Sequence, residues 1–210
     1  MNERELRDAL GARGAMLASR GLAHGSSGNL SVRSGDGFLM TPTGSALGRL
    51  DPARLSVLDA QGRHVGGDAP TKEAFLHLAV YAKRPSARAI VHLHCTCAVA
   101  VSCLVHEDAA NVLPPLTAYQ AMRVGPLPLV PYHPPGDRAL ADAVEALAAK
   151  HKAMLLANHG PVVAGSSLDA AVESAEELEE AAKISLLLHG RAVRPLSAPE
   201  IDELARRFPS

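Results

Sequence analysis

Helix-like and strand-like segments alternate along this chain, and their order restricts the fold more than any other feature. Four segments have the apolar spacing or the composition of a helix with one buried face: residues 3–20, 71–83, 138–150 and 168–189. Strand-like segments lie between them: a hairpin within residues 25–45, a strand over 87–95 and a strand over 153–160 that Gly160 is expected to stop. The chain is therefore predicted to form an α/β domain.

Local signals refine several of these segments. Gly21 is predicted to end the first helix, and Thr71, which follows Pro70, is a candidate N-cap of the second. A short helix is expected over AVAVSCL, residues 98–104, directly after the strand. The segment 126–135, PLPLVPYHPP, has too many prolines for a helix or a central strand and is expected to be an edge strand and loop.

The bulk composition indicates a single domain over residues 1–210 with a substantial core. Hydrophobic residues make up 47% of the chain and charged residues 20%, and no repeat or linker interrupts them. The 21 Lys and Arg residues are balanced by 22 Asp and Glu residues, which argues against nucleic acid or an anionic membrane as a partner. Aromatic residues are only 3% of the chain, which argues against base stacking. A small, polar, phosphorylated ligand fits this composition better.

The sequence also bears on the compartment. No apolar run approaches the roughly 20 residues that span a bilayer, and the first residues, MNERELRDALGARG, are charged where a signal peptide is apolar. We therefore expect a cytoplasmic protein. Cys95, Cys97 and Cys103 are odd in number and close together, which is unsuited to a disulfide framework, so reduced thiols are expected.

Three histidines are candidates for one metal site. His92 and His94 are separated by one residue in a predicted strand, so their side chains project from the same face. His159, in ANHG at a predicted strand end, is the third candidate. Neutral imidazole is a common zinc ligand, and catalytic zinc usually has three protein ligands and an open position. The alternative is that His92 and His94 are ordinary strand histidines, one of them bonded to a backbone carbonyl.

Other side chains near this pattern can bind a metal or move a proton. Glu73 is expected just inside its helix, where the helix dipole favours the ionised form, so it can ligate a metal or take a proton. His77, one turn later, can orient Glu73, although both can equally be solvated surface groups. The Cys95 and Cys97 thiols are further zinc candidates, but they adjoin the histidines and are expected instead to be buried as small hydrophobes.

Short clusters of small polar residues can present backbone N–H groups and hydroxyls to an anion. The clusters are Ser27-Gly28-Asn29, Thr41-Pro42-Thr43-Gly44-Ser45 and Thr71-Lys72. Glycine lets the backbone approach a phosphate, a helix start adds free N–H donors, and Lys72 adds a charge. Each cluster alone is more often an ordinary turn. Beside the candidate metal ligands, they favour a site for a phosphorylated molecule.

These segments also resemble a known family. HGSSGNLSVR, LMTPTGSALG, PTKE, VHLH and NHGPVV follow one another as in the class II aldolase/adducin family, and the similarity covers essentially the whole chain. The resemblance implies a three-layer α/β/α domain with a central, mainly antiparallel sheet. It implies phosphate contacts from Gly28, Asn29, Thr43, Gly44, Thr71 and Lys72. It further implies zinc ligands at His92, His94 and His159, with Glu73 as the catalytic acid or base and a candidate fourth ligand.

Within the family, the chain is most similar to members that decarboxylate 3-oxo-tetronate 4-phosphates, on the segments GNLSVR, TPTGSALGRLDP, YQAMR, PLPLVPYHPPGD and LLANHGPVV. The sugar-phosphate aldolases of the family typically have two serines where this chain has Thr71 and Lys72. The resemblance implies that zinc or another divalent metal stabilises an enediolate as carbon dioxide leaves, with dihydroxyacetone phosphate as the product. Glu73 would deliver or relay the proton to carbon.

Several points stay open on the sequence. A sugar-phosphate aldolase or epimerase would use the same metal site, whereas an adducin-like binding module would have lost the ligands that this chain retains. Lys72 or Arg123 can hold the departing carboxylate; a phosphate contact and a surface ion pair are the respective alternatives. Tyr119 lies in a position that resembles the region of a family tyrosine used in proton transfer. The alternative is that its hydroxyl has only a structural role. Family members are usually homotetramers with active sites between subunits, which implies the same assembly here.

Overall fold

The computed structural model describes residues 1–134 and 136–208, which form eight strands and seven α-helices. The strands are β1 (Asn29–Ser34), β2 (Gly37–Met40), β3 (Ser56–Leu58), β4 (His64–Gly66), β5 (Ala89–His92), β6 (Leu129–Val130), β7 (Ala153–Leu156) and β8 (Gly160–Gly165). The helices are α1 (Glu3–Ser19), α2 (Ala74–Lys83), α3 (Thr96–Ser102), α4 (Ala118–Arg123), α5 (Arg138–Ala148), α6 (Leu168–Leu187) and α7 (Ala198–Arg207).

All of these strands join one sheet, in the order β4-β3-β2-β1-β5-β8-β7-β6. Neighbouring strands are antiparallel except β6 and β7, which confirms the prediction of a mainly antiparallel sheet. β6 is an edge strand, as the prolines of segment 126–135 predicted. Pro135, at the end of that segment, and residues 209–210 of the predicted domain lie outside the described part of the chain.

Helices cover both faces of the sheet, so the domain has the three layers that were predicted. On one face, Leu30, Val91 and Val163 belong to an apolar cluster that includes residues of α1, α3 and α6. On the other face, Ile90 and Val162 join a second cluster with residues of α2 and α5. Each fully buried aliphatic side chain contributes about 1.5–3 kcal/mol, so these two layers hold the sheet in place. Among the described helices, none is both long and apolar enough to cross a membrane.

Three predicted element boundaries were wrong. The strand predicted over 87–95 ends at His92, because Thr96 already begins α3. Gly160 begins β8 rather than stopping a strand, since β7 ends at Leu156. Thr71 is not the N-cap of α2; that position belongs to Glu73, whose side chain makes no capping hydrogen bond. The Thr71 hydroxyl instead accepts from the Glu73 backbone N–H at 3.3 Å.

Candidate metal centre

Four side chains from separate parts of the chain converge on one point. The ligand atoms of Glu73, His92, His94 and His159 all lie within 4.8 Å of one another. The Nε2 atom of His94 is 3.0 Å from that of His92 and 3.1 Å from that of His159. The Glu73 carboxylate lies 3.1 Å from His159 Nε2 and 3.3 Å from His92 Nε2. The structure therefore brings together the four residues that the sequence selected as metal ligands.

The centre of the sheet positions His92. It is the last residue of β5, and the strand register places Asn29 of β1 on one side of it and Val162 of β8 on the other. Its Nδ1 lies 2.9 Å from the carbonyl oxygen of Pro161. Because a carbonyl only accepts, Nδ1 carries a proton, and the other ring nitrogen, Nε2, faces the cluster. The alternative predicted that one of the two strand histidines bonds to a backbone carbonyl, as His92 does. Its other ring nitrogen is nevertheless directed at His94 and Glu73.

His94 and His159 are placed by short loops. His94 lies between β5 and α3, and the start of α3 is fixed by Glu179 of α6, whose carboxylate accepts from the N–H groups of Cys97 and Ala98 at 2.8 Å each. His159 lies in the turn between β7 and β8. Asn158 before it has φ 56°, a left-handed conformation that asparagine tolerates better than most residues.

Gly160 ties the turn of His159 to the loop of His94. Its φ is 155°, and a Cβ at this position would lie only 2.3 Å from the carbonyl oxygen of Leu93. Glycine is therefore required for β8 to pass this close to the backbone between His92 and His94. Two metal-candidate segments that are far apart in sequence are held together by this contact.

The electrostatics of the cluster suit a cation. Burial and the neighbouring His92 and His159 lower the pKa of His94 to about 4, so this imidazole is neutral at pH 7. Burial opposes ionisation of Glu73, but the hydrogen bonds of its carboxylate to His159 and His92 hold its pKa well below the usual range. The centre thus offers an ionised carboxylate beside a neutral imidazole, the protonation states that metal ligation requires.

The spacing of the donor atoms also fits a metal. Ligands at about 2.0 Å in a tetrahedral arrangement lie about 3.3 Å from one another. The nitrogen pairs at 3.0 and 3.1 Å and the oxygen–nitrogen contacts at 3.1 and 3.3 Å are close to this value. A divalent ion would replace the protons that otherwise lie between these atoms. The residues present therefore fit a divalent metal with nitrogen and oxygen ligands.

A cavity of about 600 Å³ opens beside two of the imidazoles. Its lining residues are His24, Ser27, His94, Thr96, Val99, Tyr132, His133, Asn158 and His159. Sequence reasoning did not single out His24, Tyr132 or His133 as site residues. The Tyr-His pair within the proline-rich segment was the available signal, because polar aromatic residues in a loop beside candidate ligands can face a binding cavity.

The three predicted phosphate-binding clusters meet at Thr41. Its hydroxyl accepts from the Leu30 N–H at 3.1 Å, and its carbonyl accepts from the Thr71 N–H at 3.2 Å. Thr43 N–H in turn donates to Ala69 O at 2.9 Å. Hydrogen bonds thus join the segments that contain Asn29, Thr43 and Thr71.

The predicted phosphate residues differ in what surrounds them. Thr43 and Gly44 line a second cavity of about 490 Å³ together with Arg49, a cation that the sequence reasoning missed although it follows Gly44 by only five residues. Lys72 is exposed. Gly28 has φ 78° and would, with a Cβ, approach the His92 carbonyl oxygen to 2.9 Å, so glycine has a structural reason here as well.

A buried asparagine, Asn29, holds the Glu73 carboxylate from the side of the protein interior. Asn29 Nδ2 donates to Glu73 Oε2 at 2.7 Å, and Asn29 Oδ1 lies 2.5 Å from His77 Nε2. His77 is fully buried, so the alternative that it is a solvated surface group was wrong. It reaches Glu73 through Asn29 rather than directly.

Known proteins are similar to this chain over most of its length. Residues 8–186 match the family described as the class II aldolase and adducin N-terminal domain. The chain belongs to this family. Its class II aldolase fold superposes on the crystal structure of YgbL from Klebsiella pneumoniae, described as an aldolase, epimerase or decarboxylase, with a TM-score of 0.94, 49% identity and coverage of 97% and 99% of the two chains.

Two curated relatives of this class II aldolase domain carry specific activities in their names. The 3-oxo-tetronate 4-phosphate decarboxylase of Escherichia coli K12 is 50% identical over 203 residues, which cover 96% of each chain. The L-fuculose phosphate aldolase of the same strain is 36% identical over 192 residues, covering 90% of this chain and 86% of the relative. The decarboxylase is thus the more similar of the two.

Tyr119 and Arg123 lie on α4 of the class II aldolase domain, away from the lining of the two cavities described above. Tyr119 is 58% exposed, with the Arg123 guanidinium over its ring. Arg123 pairs with Glu173 at 3.0 Å, which confirms the alternative of a surface ion pair. Within one chain, the structure does not bring Tyr119 to the histidines.

The three thiols of the class II aldolase domain are free, as predicted. Cys95 is buried in the apolar cluster beneath α3, and burial raises the pKa of its thiol. A protonated, buried thiol is a small hydrophobe rather than a metal ligand. Of the two kinds of zinc candidate near this strand end, only the histidines belong to the converging cluster.

Proposed function

We propose that this protein is a zinc-dependent decarboxylase that converts a 3-oxo-tetronate 4-phosphate into dihydroxyacetone phosphate and carbon dioxide. The observation that carries the proposal is the convergence of three imidazole Nε2 atoms and the Glu73 carboxylate beside an open cavity. The similarity to the E. coli decarboxylase along 96% of both chains supports the choice of reaction. A zinc enzyme of the aldolase type that acts on L-fuculose phosphate is the less similar alternative.

The reaction needs an electron sink at the ketone and a proton at carbon. A bound divalent ion would supply the sink, as a Lewis acid at the ketone oxygen and the neighbouring hydroxyl. His92, His94 and His159 would hold this ion, with Glu73 as a further ligand. After carbon dioxide leaves, Glu73 relays a proton from solvent to the carbon that lost its carboxyl group, because its carboxylate lies among the imidazole nitrogens that would hold the ion.

The phosphate of the substrate is proposed to bind at the joined loops around Thr41. Gly28, Asn29, Thr43, Gly44, Thr71 and Lys72 are the proposed contacts. The hydrogen bonds that join these three segments support a single phosphate site. Its contacts would be mostly backbone N–H groups and hydroxyls, with Lys72 as the cation.

Tyr119 and the homotetramer are proposed together. Tyr119 is exposed on α4 and does not line the cavity beside the histidines of its own chain, so its proposed place is the active site of a neighbouring subunit. A homotetramer with sites between subunits would bring it there. Light scattering that gives the mass of a monomer would contradict this part of the proposal. The cytoplasm is the proposed location, because the three cysteines are free thiols.

The activity is tested with purified, zinc-loaded protein and 3-oxo-tetronate 4-phosphate. We expect carbon dioxide and dihydroxyacetone phosphate in equal amounts, loss of both after chelation, and recovery when zinc is added back. Metal analysis of the purified protein identifies the ion. Cleavage of L-fuculose 1-phosphate to an aldehyde, without carbon dioxide from the oxo acid, would instead establish the aldolase. Full turnover in the presence of the chelator would exclude the metal site as the catalytic centre.

A further inference from the structure

A buried chain of polar side chains leads from the interior of the domain to Glu73. Asn29 bonds to Glu73 and to His77, as described above. Beyond them, Ser31 Oγ lies 2.7 Å from His77 Nδ1 and 3.0 Å from the Tyr81 hydroxyl. The chain therefore joins five side chains through four hydrogen bonds, and Glu73 is its only member in the metal centre.

The sequence spacing explains how these side chains meet. Asn29 and Ser31 are two residues apart in β1, so they project from the same face of the sheet. Glu73, His77 and Tyr81 recur every four residues at the start of α2 and along it, so they line one side of this helix. The two rows face each other between the sheet and α2.

The chemistry of the groups gives every hydrogen bond one direction. A carboxylate only accepts, so the Asn29 amide nitrogen donates to Glu73 and its carbonyl oxygen must accept from His77 Nε2–H. Burial and the nearby His92 lower the pKa of His77 to about 3, so the ring is neutral and its Nδ1 accepts from the Ser31 hydroxyl. Ser31 in turn accepts from Tyr81, which keeps its proton because burial raises its pKa. Every donor in the chain thus points towards Glu73.

Burying these linked polar side chains costs free energy of folding, so their presence favours a functional role. Ser31 and His77 are fully buried, and Asn29 and Tyr81 are nearly so. Removing polar groups from water is unfavourable, and apolar side chains of similar shape can fill such a space at little or no loss of stability. The hydrogen bonds leave little freedom to Asn29, and therefore to the carboxylate oxygen that it contacts.

We propose that His77 is a positioning residue, which acts through Asn29 to fix the Glu73 carboxylate against the three metal-binding imidazoles. This inference rests on the proposed function insofar as Glu73 ligates the metal and relays the proton. Ser31 and Tyr81 fix the tautomer and orientation of the His77 ring. The effect of substituting each residue on zinc binding should therefore diminish with the number of hydrogen bonds that separate it from Glu73.

The test measures zinc binding and turnover separately. In His77→Phe, which fills the space without hydrogen bonds, zinc affinity from competition with a chromophoric chelator should fall about 10–100-fold, as for outer-shell partners of other metal ligands. In the decarboxylase assay, kcat should fall by a similar factor while KM changes by less than about threefold, because substrate contacts are retained. His77→Gln, whose amide can still donate to Asn29, should recover part of both losses, and Tyr81→Phe should lose less than His77→Phe.

Val80→Ala provides the matched control, because Val80 is buried in the same helix and its aliphatic side chain forms no hydrogen bonds. It should lower the Tm but leave zinc affinity within about threefold of wild type, since it removes packing only. The proposal is wrong if His77→Phe binds zinc like wild type, if His77→Gln and His77→Phe lose affinity equally, or if Val80→Ala matches their loss. Should His77→Phe not fold, wild-type zinc affinity in both His77→Gln and Tyr81→Phe would overturn it. Zinc affinity requires no substrate, so this result stands even if the decarboxylase assay is negative.

Discussion

Glu73 differs from an ordinary surface carboxylate in having each oxygen committed to a different partner. Oε1 lies near His159, and Oε2 lies near His92 and accepts from Asn29. The side chain is only 15% exposed. This environment keeps the carboxylate ionised and oriented, which a metal ligand and a proton relay both require.

Replacing Glu73 by Gln should remove the charge and retain the size of the side chain. We expect kcat to fall by about 10²–10⁴, the range typical of a lost acid–base group, with a smaller change in KM. Steady-state kinetics on zinc-saturated protein provide the measurement. Glu145→Gln is the control, because Glu145 forms an ion pair with Lys83 on the surface and should keep normal turnover. Equal activity of the two variants would remove Glu73 from the mechanism.

Single residues of the centre could be selected from the sequence to different extents. The one-residue interval between His92 and His94 and the glycine after His159 were sufficient to select the histidines. The buried positions of Asn29, Ser31, His77 and Tyr81 were not accessible in this way. Their hydrogen bonds join residues 44–50 positions apart, and such pairs depend on which helix packs over which strand.

At the scale of elements, the approach of β8 to the end of β5 decides the shape of the centre. His92 pairs with Val162, and Leu93 N–H donates to Pro161 O at 3.3 Å. These contacts hold the segment of His94 beside the turn of His159. A change that separates β8 from Leu93 should therefore affect metal binding before it affects the remainder of the sheet.

Gly160→Ala provides such a change. Its Cβ would lie 2.3 Å from Leu93 O, so we expect a Tm decrease of at least several degrees and weaker zinc binding. Thermal unfolding and chelator competition measure the two effects. Gly35→Ala is the matched control: Gly35 has φ 55° and no atom within 4 Å of its Cβ position, so it tests backbone strain alone. Equal losses in the two variants would show that the contact with Leu93 is unimportant.

The long elements were predictable, and several short ones were not. α1, α2, α5 and α6 follow from apolar spacing and composition, and β1 and β2 from alternation around a turn. β3 and β4 have only three residues each, too few for a periodic pattern. β8 was missed because Gly160 was interpreted as a stop, whereas its role is to let two backbones approach. The segments that form α4 and α7 were not identified from the sequence.

At the scale of the whole molecule, acid should destabilise the metal-free protein in a defined pH range. The pKa of His77 is lowered to about 3 by burial and by His92. Between about pH 6.5 and 3 the unfolded chain therefore binds a proton that the folded chain excludes, so stability falls as pH falls, by about 1.4 kcal/mol per pH unit for this one group. Urea unfolding from pH 7 to 5 with a chelator present measures the slope. His94, whose pKa is lowered to about 4, adds to the slope in the same range, whereas Glu73, whose pKa is also lowered, would add its loss only at lower pH.

His77→Gln removes this titration and should give a shallower slope over the same range. Its absolute stability can be lower at every pH without affecting the test, because only the slope reports proton uptake. Val80→Ala is the control: it removes buried packing in the same helix but no titratable group, so its slope should match that of wild type. An identical slope in wild type and His77→Gln would mean that His77 is not the buried group that resists protonation.

The single carboxylate among the ligands fixes the sign of the field that an approaching molecule meets. With the imidazoles in the neutral form that binds a metal, the four ligands carry the one negative charge of Glu73, and a divalent ion would change this sum to one positive charge. A doubly anionic phosphate ester with a carboxylate would be repelled in the first case and attracted in the second, over the roughly 8–10 Å that physiological salt permits. Loading of the ion should therefore precede capture of the oxo acid, and added salt should slow that capture only in the loaded protein.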